Sequence, residues 1–212
     1  KMFTMTQTIN LGAEVYITDP CYSVPTWCQT KLTNVLPGEW ICTMIFDELG
    51  GSNRNAELFL VHKDYQGKNL SYDWFGDFGV DSGQAGVFDA ASYRDDAAAG
   101  NYQVPKSSFV LPGDLREGDR WYEAICKLTL ETEHGWGAYD QGVVSSSGWG
   151  DGMYPVYGAE VDGKVVALQL VFIDQTAEDE PEGEPDCMEC GAELESDGSC
   201  NYCEFLQSKQ ED

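Results

Sequence analysis

The chain has 212 residues, with 37 acids against 12 Lys and Arg and a formal charge of -25. Such a balance repels a nucleic-acid backbone and an anionic membrane alike; what it admits is a basic protein partner, a cation or a small polar ligand. Apolar residues at 42% and aromatics at 12% supply material for a core, which separates this acidity from wholesale disorder.

The opening KMFTMTQTIN lacks the apolar stretch of a secretory signal, and no run approaches the ~20 apolar residues that span a bilayer. A cytoplasmic protein is expected. Its first strand is read at Glu14–Thr18 (EVYIT), closed by the loop Thr18-Asp19-Pro20-Cys21-Tyr22. Cys21 and Cys28 bracket a turn-rich stretch and are placed to pair only in an oxidising compartment. Strands follow at Trp40–Phe46 and Glu57–His62, both rich in β-branched and aromatic residues. His62 falls inside the second and reads as a packed histidine rather than a base. A glycine-aspartate stretch, GVDSGQAGVFD over residues 79–89, is read as a loop, and Asp89–Ala99 as holding a short helix that ends at Gly100. Asp119 is read as capping one more short turn into Trp121–Ala124, and Cys126–Leu130 as a strand. Cys42 and Cys126 then read as buried thiols.

A second glycine-rich stretch, SSSGWGDGMYPVY, covers residues 145–157. Tyr154–Glu160 and Lys164–Ile173 flank Asp162-Gly163, the dipeptide of a tight hairpin. Turn signals recur throughout and no internal repeat has a fixed period, so the fold class is mainly β: an antiparallel sandwich or curved sheet with few short helices, over residues 1–173.

Beyond the β-rich region the charge concentrates. Residues 174–212 hold 14 acids and one base, a net of -13, while the first 173 residues hold 23 acids and 11 bases, a net of -12. Residues 174–186, acidic and interrupted by proline, read as a flexible linker. Then come Cys187-Met-Glu-Cys190 and Cys200-Asn-Tyr-Cys203. Two C-x-x-C pairs across a short loop are suited to hold one structural Zn2+ by four thiolates, a zinc ribbon over residues 187–206 followed by a tail at 207–212. Such a segment has few large apolar residues to bury, so the metal supplies its fold.

The run SGWGDGMYPVY, with DSGQAG upstream and DPCY near the start, resembles an uncharacterised bacterial and phage family of unknown function marked by an SGxGDGxY motif. The resemblance spans residues ~14–173, leaves the zinc tail outside, and implies a β-rich domain with no activity to transfer.

Function must therefore be read from residue chemistry. Loops that alternate Gly with Ser and Asp let backbone N–H groups approach a ligand and cradle an anion. Asp19, Asp81, Ser82, Gly83, Gln84, Asp89, Ser147, Gly148, Gly150 and Asp151 are the polar candidates, and Tyr22, Trp149 and Tyr154 the rings on which a planar group stacks. The expectation is a non-enzymatic binding protein with a pocket for a small polar ligand, such as a nucleotide signal sequestered in a phage or mobile-element setting. Two alternatives stay open: an acidic interaction protein or nucleic-acid mimic that blocks a basic host factor, and a metal-dependent hydrolase built on Asp19, Asp81, Asp89 and Asp151. The same glycines and acids also serve plain turns.

Overall fold

The computed structural model describes residues 5–47, 53–97, 116–176 and 199–200. The chain divides into two units, Lys1–Gln175 and Thr176–Asp212. In the first, the described residues form strands β1 (Met5–Leu11), β2 (Val15–Thr18), β3 (Thr30–Leu32), β4 (Gly38–Phe46), β5 (Asn55–His62), β6 (Asp73–Val80) and β7 (Gln84–Asp89). Helix α1 (Asp119–Leu130) follows, then β8 (Trp136–Tyr139), β9 (Gly142–Ser146), β10 (Gly152–Val161) and β11 (Lys164–Val171).

These strands make two sheets, ordered β1-β4-β5-β11-β10-β6 and β3-β2-β7-β9-β8. Every strand pairing within them is antiparallel. Period-2 patterning explains the packing. On β4, Trp40, Cys42 and Met44 are buried while Ile41, Thr43 and Ile45 are half-buried, and on β5 Leu58 and Leu60 point the same way. They meet Ile17, Val87 and Val143 from the smaller sheet in one core, so the sheets lie face to face as a sandwich. The margins are joined as well. Asn10 N–H donates to the Asp140 carbonyl beside β1 and β8, and Thr30 Oγ1 donates to the Asp77 carbonyl between β3 and β6.

β7 is buried along its whole length. Its inner residues Ala85 and Val87 join the main core, while Phe88 on the outer face packs edge-on to Trp121 of α1, ring centroids 5.3 Å apart. Gly86 sits where a Cβ would lie 2.0 Å from the Val143 carbonyl oxygen, so only glycine lets β7 and β9 approach here.

The expected hairpin is present: Asp162 and Gly163 have φ of 52° and 77°, the left-handed pair that a type I′ turn requires, and Val161 faces Lys164. Cys126–Leu130, expected as a strand, is the second half of α1. Over a longer window Trp121, Ala124, Ile125 and Leu128 recur at helical spacing and pack toward the sheet, a period that five residues cannot display. Asp119 is not the cap of this helix. Asp96 holds its N-terminus, accepting from Gly118 N–H and Trp121 N–H at 3.0 Å each. The helix expected within Asp89–Ala99 is, among the described residues, a 3-10 turn at Ala90–Ser92. Asp95 Oδ1 accepts from Ala97 N–H at 2.9 Å, a local bond that competes with helix continuation.

Candidate functional site: three loops joined at the β6–β7 turn

β2 ends at Thr18 and is followed by Asp19, whose residue surface is fully buried. Pro20 has no N–H, so the side chain of Asp19 turns to the next donor, Cys21 N–H, at 2.8 Å. The same carboxylate crosses to the turn between β6 and β7. Its Oδ2 accepts from Asp81 N–H at 2.8 Å and Ser82 N–H at 2.6 Å, and its Oδ1 accepts from Ser82 Oγ at 2.7 Å. Four donors thus satisfy a charge that burial alone would penalise heavily.

The β9–β10 connection docks on the same turn. Gly83 N–H donates to Asp151 Oδ1 at 3.0 Å, and the Gly83 carbonyl accepts from Ser147 N–H at 3.0 Å. Inside that connection Ser147 Oγ and the Tyr154 hydroxyl both donate to the Gly150 carbonyl at 2.7 Å. Gly148 and Gly150, with φ of 64° and 99°, make the reversal. Trp149 stands out from it, 62% exposed, with the Arg54 guanidinium 5.0 Å from its ring centre and Arg54 Nη1 donating to the Gly148 carbonyl at 2.9 Å. Asp81 and Asp151 are exposed.

The three motifs therefore converge, in tighter form than the expected long loops: 84–89 and 152–154 belong to strands. Two candidates lie elsewhere. Gln84 is pinned beneath α1, donating to Cys126 Sγ at 3.2 Å and accepting from Thr129 Oγ1 at 2.8 Å. Asp89 ends β7 at its far end, roughly 17 Å away at ~3.4 Å per residue, where Oδ1 accepts from Gly12 N–H at 2.7 Å. The four aspartates considered as a metal set are thus not gathered at one point. Among the described residues, no group of three or more His, Cys, Asp or Glu is arranged to hold a metal ion. Cys187, Cys190 and Cys203 lie outside the described residues; Cys200, the other proposed zinc ligand, is buried.

Residues not singled out in the sequence complete the site. Tyr93 donates to the Tyr22 carbonyl at 2.6 Å, and Arg94 Nη1 to the Pro20 and Cys21 carbonyls at 2.9 and 3.3 Å. The only available signal was an arginine isolated among acids, Arg94-Asp95-Asp96. The resolved proton affinities around these loops shift one way. Burial, then the hydrogen bond with Asp19, pushes the Cys21 thiol up to about 12. Burial, then the hydrogen bond with Asp81, raises the Tyr22 phenol, and burial raises Tyr154. These groups stay protonated at neutral pH and act as hydrogen-bonding partners.

Cys21 and Cys28 are free thiols here, and Cys28 is buried. Cys42 is a buried core thiol, whereas Cys126 is half-buried and lies on a helix rather than a strand. His62 is a packed residue: Nδ1 accepts from Asp64 N–H at 3.1 Å and Nε2 faces the Pro37 carbonyl at 3.0 Å, which sets the proton on Nε2.

A family model described as a protein of unknown function (DUF4241) matches residues 54–170, a span holding the second and third motifs but not the Asp19 loop. No curated protein and no solved structure is matched.

Proposed function

We propose, for a chain that belongs to the DUF4241 family of unknown function and so inherits no assigned reaction, that it is a non-enzymatic protein binding a small polar ligand at the end of the sandwich where the three loops meet. One observation carries the proposal and narrows the ligand. The N–H groups suited to cradle a phosphate, those of Asp81, Ser82 and Gly83, already donate to the chain's own Asp19 and Asp151. What faces outward is complementary to something else: the exposed carboxylates of Asp81 and Asp151 and the exposed Trp149 ring, whose one face Arg54 backs. Carboxylates accept hydrogen bonds from hydroxyl and amino groups, and an indole stacks on a planar ring. The ligand class is therefore a ring compound bearing hydroxyl or amino groups, such as a nucleoside, recognised without its phosphate. Because Asp19 ties the first two loops and Gly83 holds the third through Asp151 and Ser147, little ordering remains to oppose binding.

A thermal-shift series of nucleosides, aromatic amines and their phosphorylated counterparts tests this. A ligand at 100 times its Kd stabilises by about 2.7 kcal/mol, a rise of roughly 5–10 °C for a chain of this size. The parent compound should act more strongly than its phosphate, and Trp149→Ala or Asp81→Asn should remove the shift. Tighter binding of the phosphate, or no response to any compound, refutes the assignment. The proposal retains the accessory four-thiolate zinc module at Cys187, Cys190, Cys200 and Cys203, which rests on the spacing of the two C-x-x-C pairs.

A further inference from the structure

The edge of the larger sheet carries a second surface. β6 is its terminal strand and pairs antiparallel with β10, with Gly79 opposite Met153 and, beyond a bulge at Val156/Tyr157, Trp74 opposite Tyr157. Opposed residues share a face. This face turns away from the core, because Phe78, Tyr154 and Val156 are the core residues of the same strands. Trp74 is 60% exposed and Met153 53%. The loop from Tyr22 to Gln29 runs along the free edge of β6, where Gly79 N–H donates to the Cys28 carbonyl at 2.9 Å, and it presents Trp27 at 88% exposure. From Trp74 to Gly79 the strand spans roughly 17 Å at ~3.3 Å per residue, a strip the length of an extended peptide of about six residues, and Trp27 lies next in sequence to the Cys28 that meets the Gly79 end.

Large aromatic rings left in water call for an explanation when they are clustered. Elsewhere three exposed or half-exposed rings sit under a cation: Lys31 lies 5.4 Å from the Tyr16 ring centre, Lys68 5.2 Å from Tyr65 and Arg54 5.0 Å from Trp149. Among the described residues no cation lies over Trp27 or Trp74. None is supplied by the neighbouring sequence either, because β6, β10 and the 19–29 loop contain no Lys or Arg. Acids are present instead. Asp73 and Asp77 are exposed on β6, and Asp77 Oδ1 accepts from Trp74 Nε1–H at 3.1 Å, which fixes the plane of the indole and holds a carboxylate at its rim.

We propose that this strip docks an extended basic segment of another protein, with an arginine on Trp74 and a second cationic side chain on Trp27. A guanidinium stacks flat on an indole and donates in its own plane, so one laid on Trp74 reaches the Asp77 carboxylate at the rim; an ammonium makes only the first of these contacts as a point charge. Charge complementarity selects this occupant. At -25 the chain disfavours a polyanion, and an uncharged surface gains nothing from Asp73 and Asp77. The strip shares no side chain with the three-loop site, so the two proposals stand separately.

The test uses the full chain and a fluorescein-labelled peptide with two arginines five residues apart, measured by anisotropy at low and physiological salt and by quenching of tryptophan emission. Binding should weaken with salt. Trp27→Ala and Trp74→Ala should each weaken it at least fivefold and the pair at least twentyfold. Asp77→Asn should weaken the arginine peptide severalfold more than a lysine counterpart. All three positions are exposed, and unchanged circular dichroism confirms that each variant folds. Equal affinity in the double variant means attraction by overall charge only and overturns the proposal. So does absence of binding, loss of binding on Trp149→Ala alone, tighter binding of a neutral oligosaccharide than of the peptide, or a concentration-dependent dimer that Trp74→Ala abolishes.

Discussion

Replacing Asp19 by alanine tests whether one buried carboxylate holds the loop end together. The substitution removes the acceptor of three backbone N–H groups and one hydroxyl, on elements 62 and 63 residues apart in sequence as well as within its own turn. A hydrogen bond to a charged acceptor contributes about 1.5–3 kcal/mol, but four on one group are not additive, and water reaches part of the vacated site. The expected loss is about 3–5 kcal/mol, a large share of the 5–15 kcal/mol that stabilises an ordinary domain. Asparagine is milder. With its oxygen toward Asp81 and Ser82 N–H and its amide toward Ser82 Oγ, which then accepts, only Cys21 N–H loses its partner, a cost of about 1–2 kcal/mol. Urea denaturation of wild type, Asp19→Ala, Asp19→Asn and Ser82→Ala gives these differences, and the Asp19→Ala/Ser82→Ala cycle should show coupling of about 1 kcal/mol. If Asp19→Ala stays within about 1 kcal/mol of wild type, the carboxylate is not the tie described and the preorganised loop end goes with it.

Three further outcomes are expected. Burial raises the Glu57 carboxyl above its ordinary 4.5, partly offset by the hydrogen bond from Gln169, with Asp174 adding to the rise. The native state then binds this proton more tightly than the unfolded chain, so the contribution is complete below the ordinary value and is lost as pH rises through the folded one. Glu57→Gln should therefore gain stability relative to wild type at pH 7 and not at pH 4; urea melts showing the reverse order would contradict the burial of this acid. Cys21, with its thiol pushed up to about 12 from an ordinary 9.0, should react with iodoacetamide at pH 8 roughly 50-fold more slowly than an unhindered thiol, the lost thiolate fraction being partly offset by its greater nucleophilicity, as read by peptide mass spectrometry. Metal analysis of the purified chain should find about one zinc, lost from the Cys187→Ser/Cys190→Ser variant; a metal-free wild type defeats the ribbon.

Much of the β architecture was legible along the chain because strands state themselves locally. Alternation along Trp40–Phe46 and Glu57–His62 marks one buried face, and Asp162-Gly163 supplies two residues that tolerate positive φ. α1 was half missed because its C-terminal residues are apolar at short range and helical only over its whole length. Asp96 could not be recognised as the helix cap, since it lies 22 residues before the N–H it satisfies. Gly-rich segments concealed β6 and β7; the burial of β7 comes from β2 and β9 on its two sides rather than from its own composition.

The sequence by itself determined that the chain is acidic, mainly β and built around three glycine-aspartate motifs, because composition and short-range periodicity record those properties directly. Which of the acids face water was decided only in three dimensions. A carboxylate looks the same in sequence whether it is solvated or saturated. Asp19 and Asp89 were enclosed by backbone donors from other parts of the chain, whereas Asp81 and Asp151 stayed exposed. That difference, set by long-range strand pairing, fills the expected anion cradle with the chain's own carboxylates and leaves Asp81 and Asp151 toward solvent.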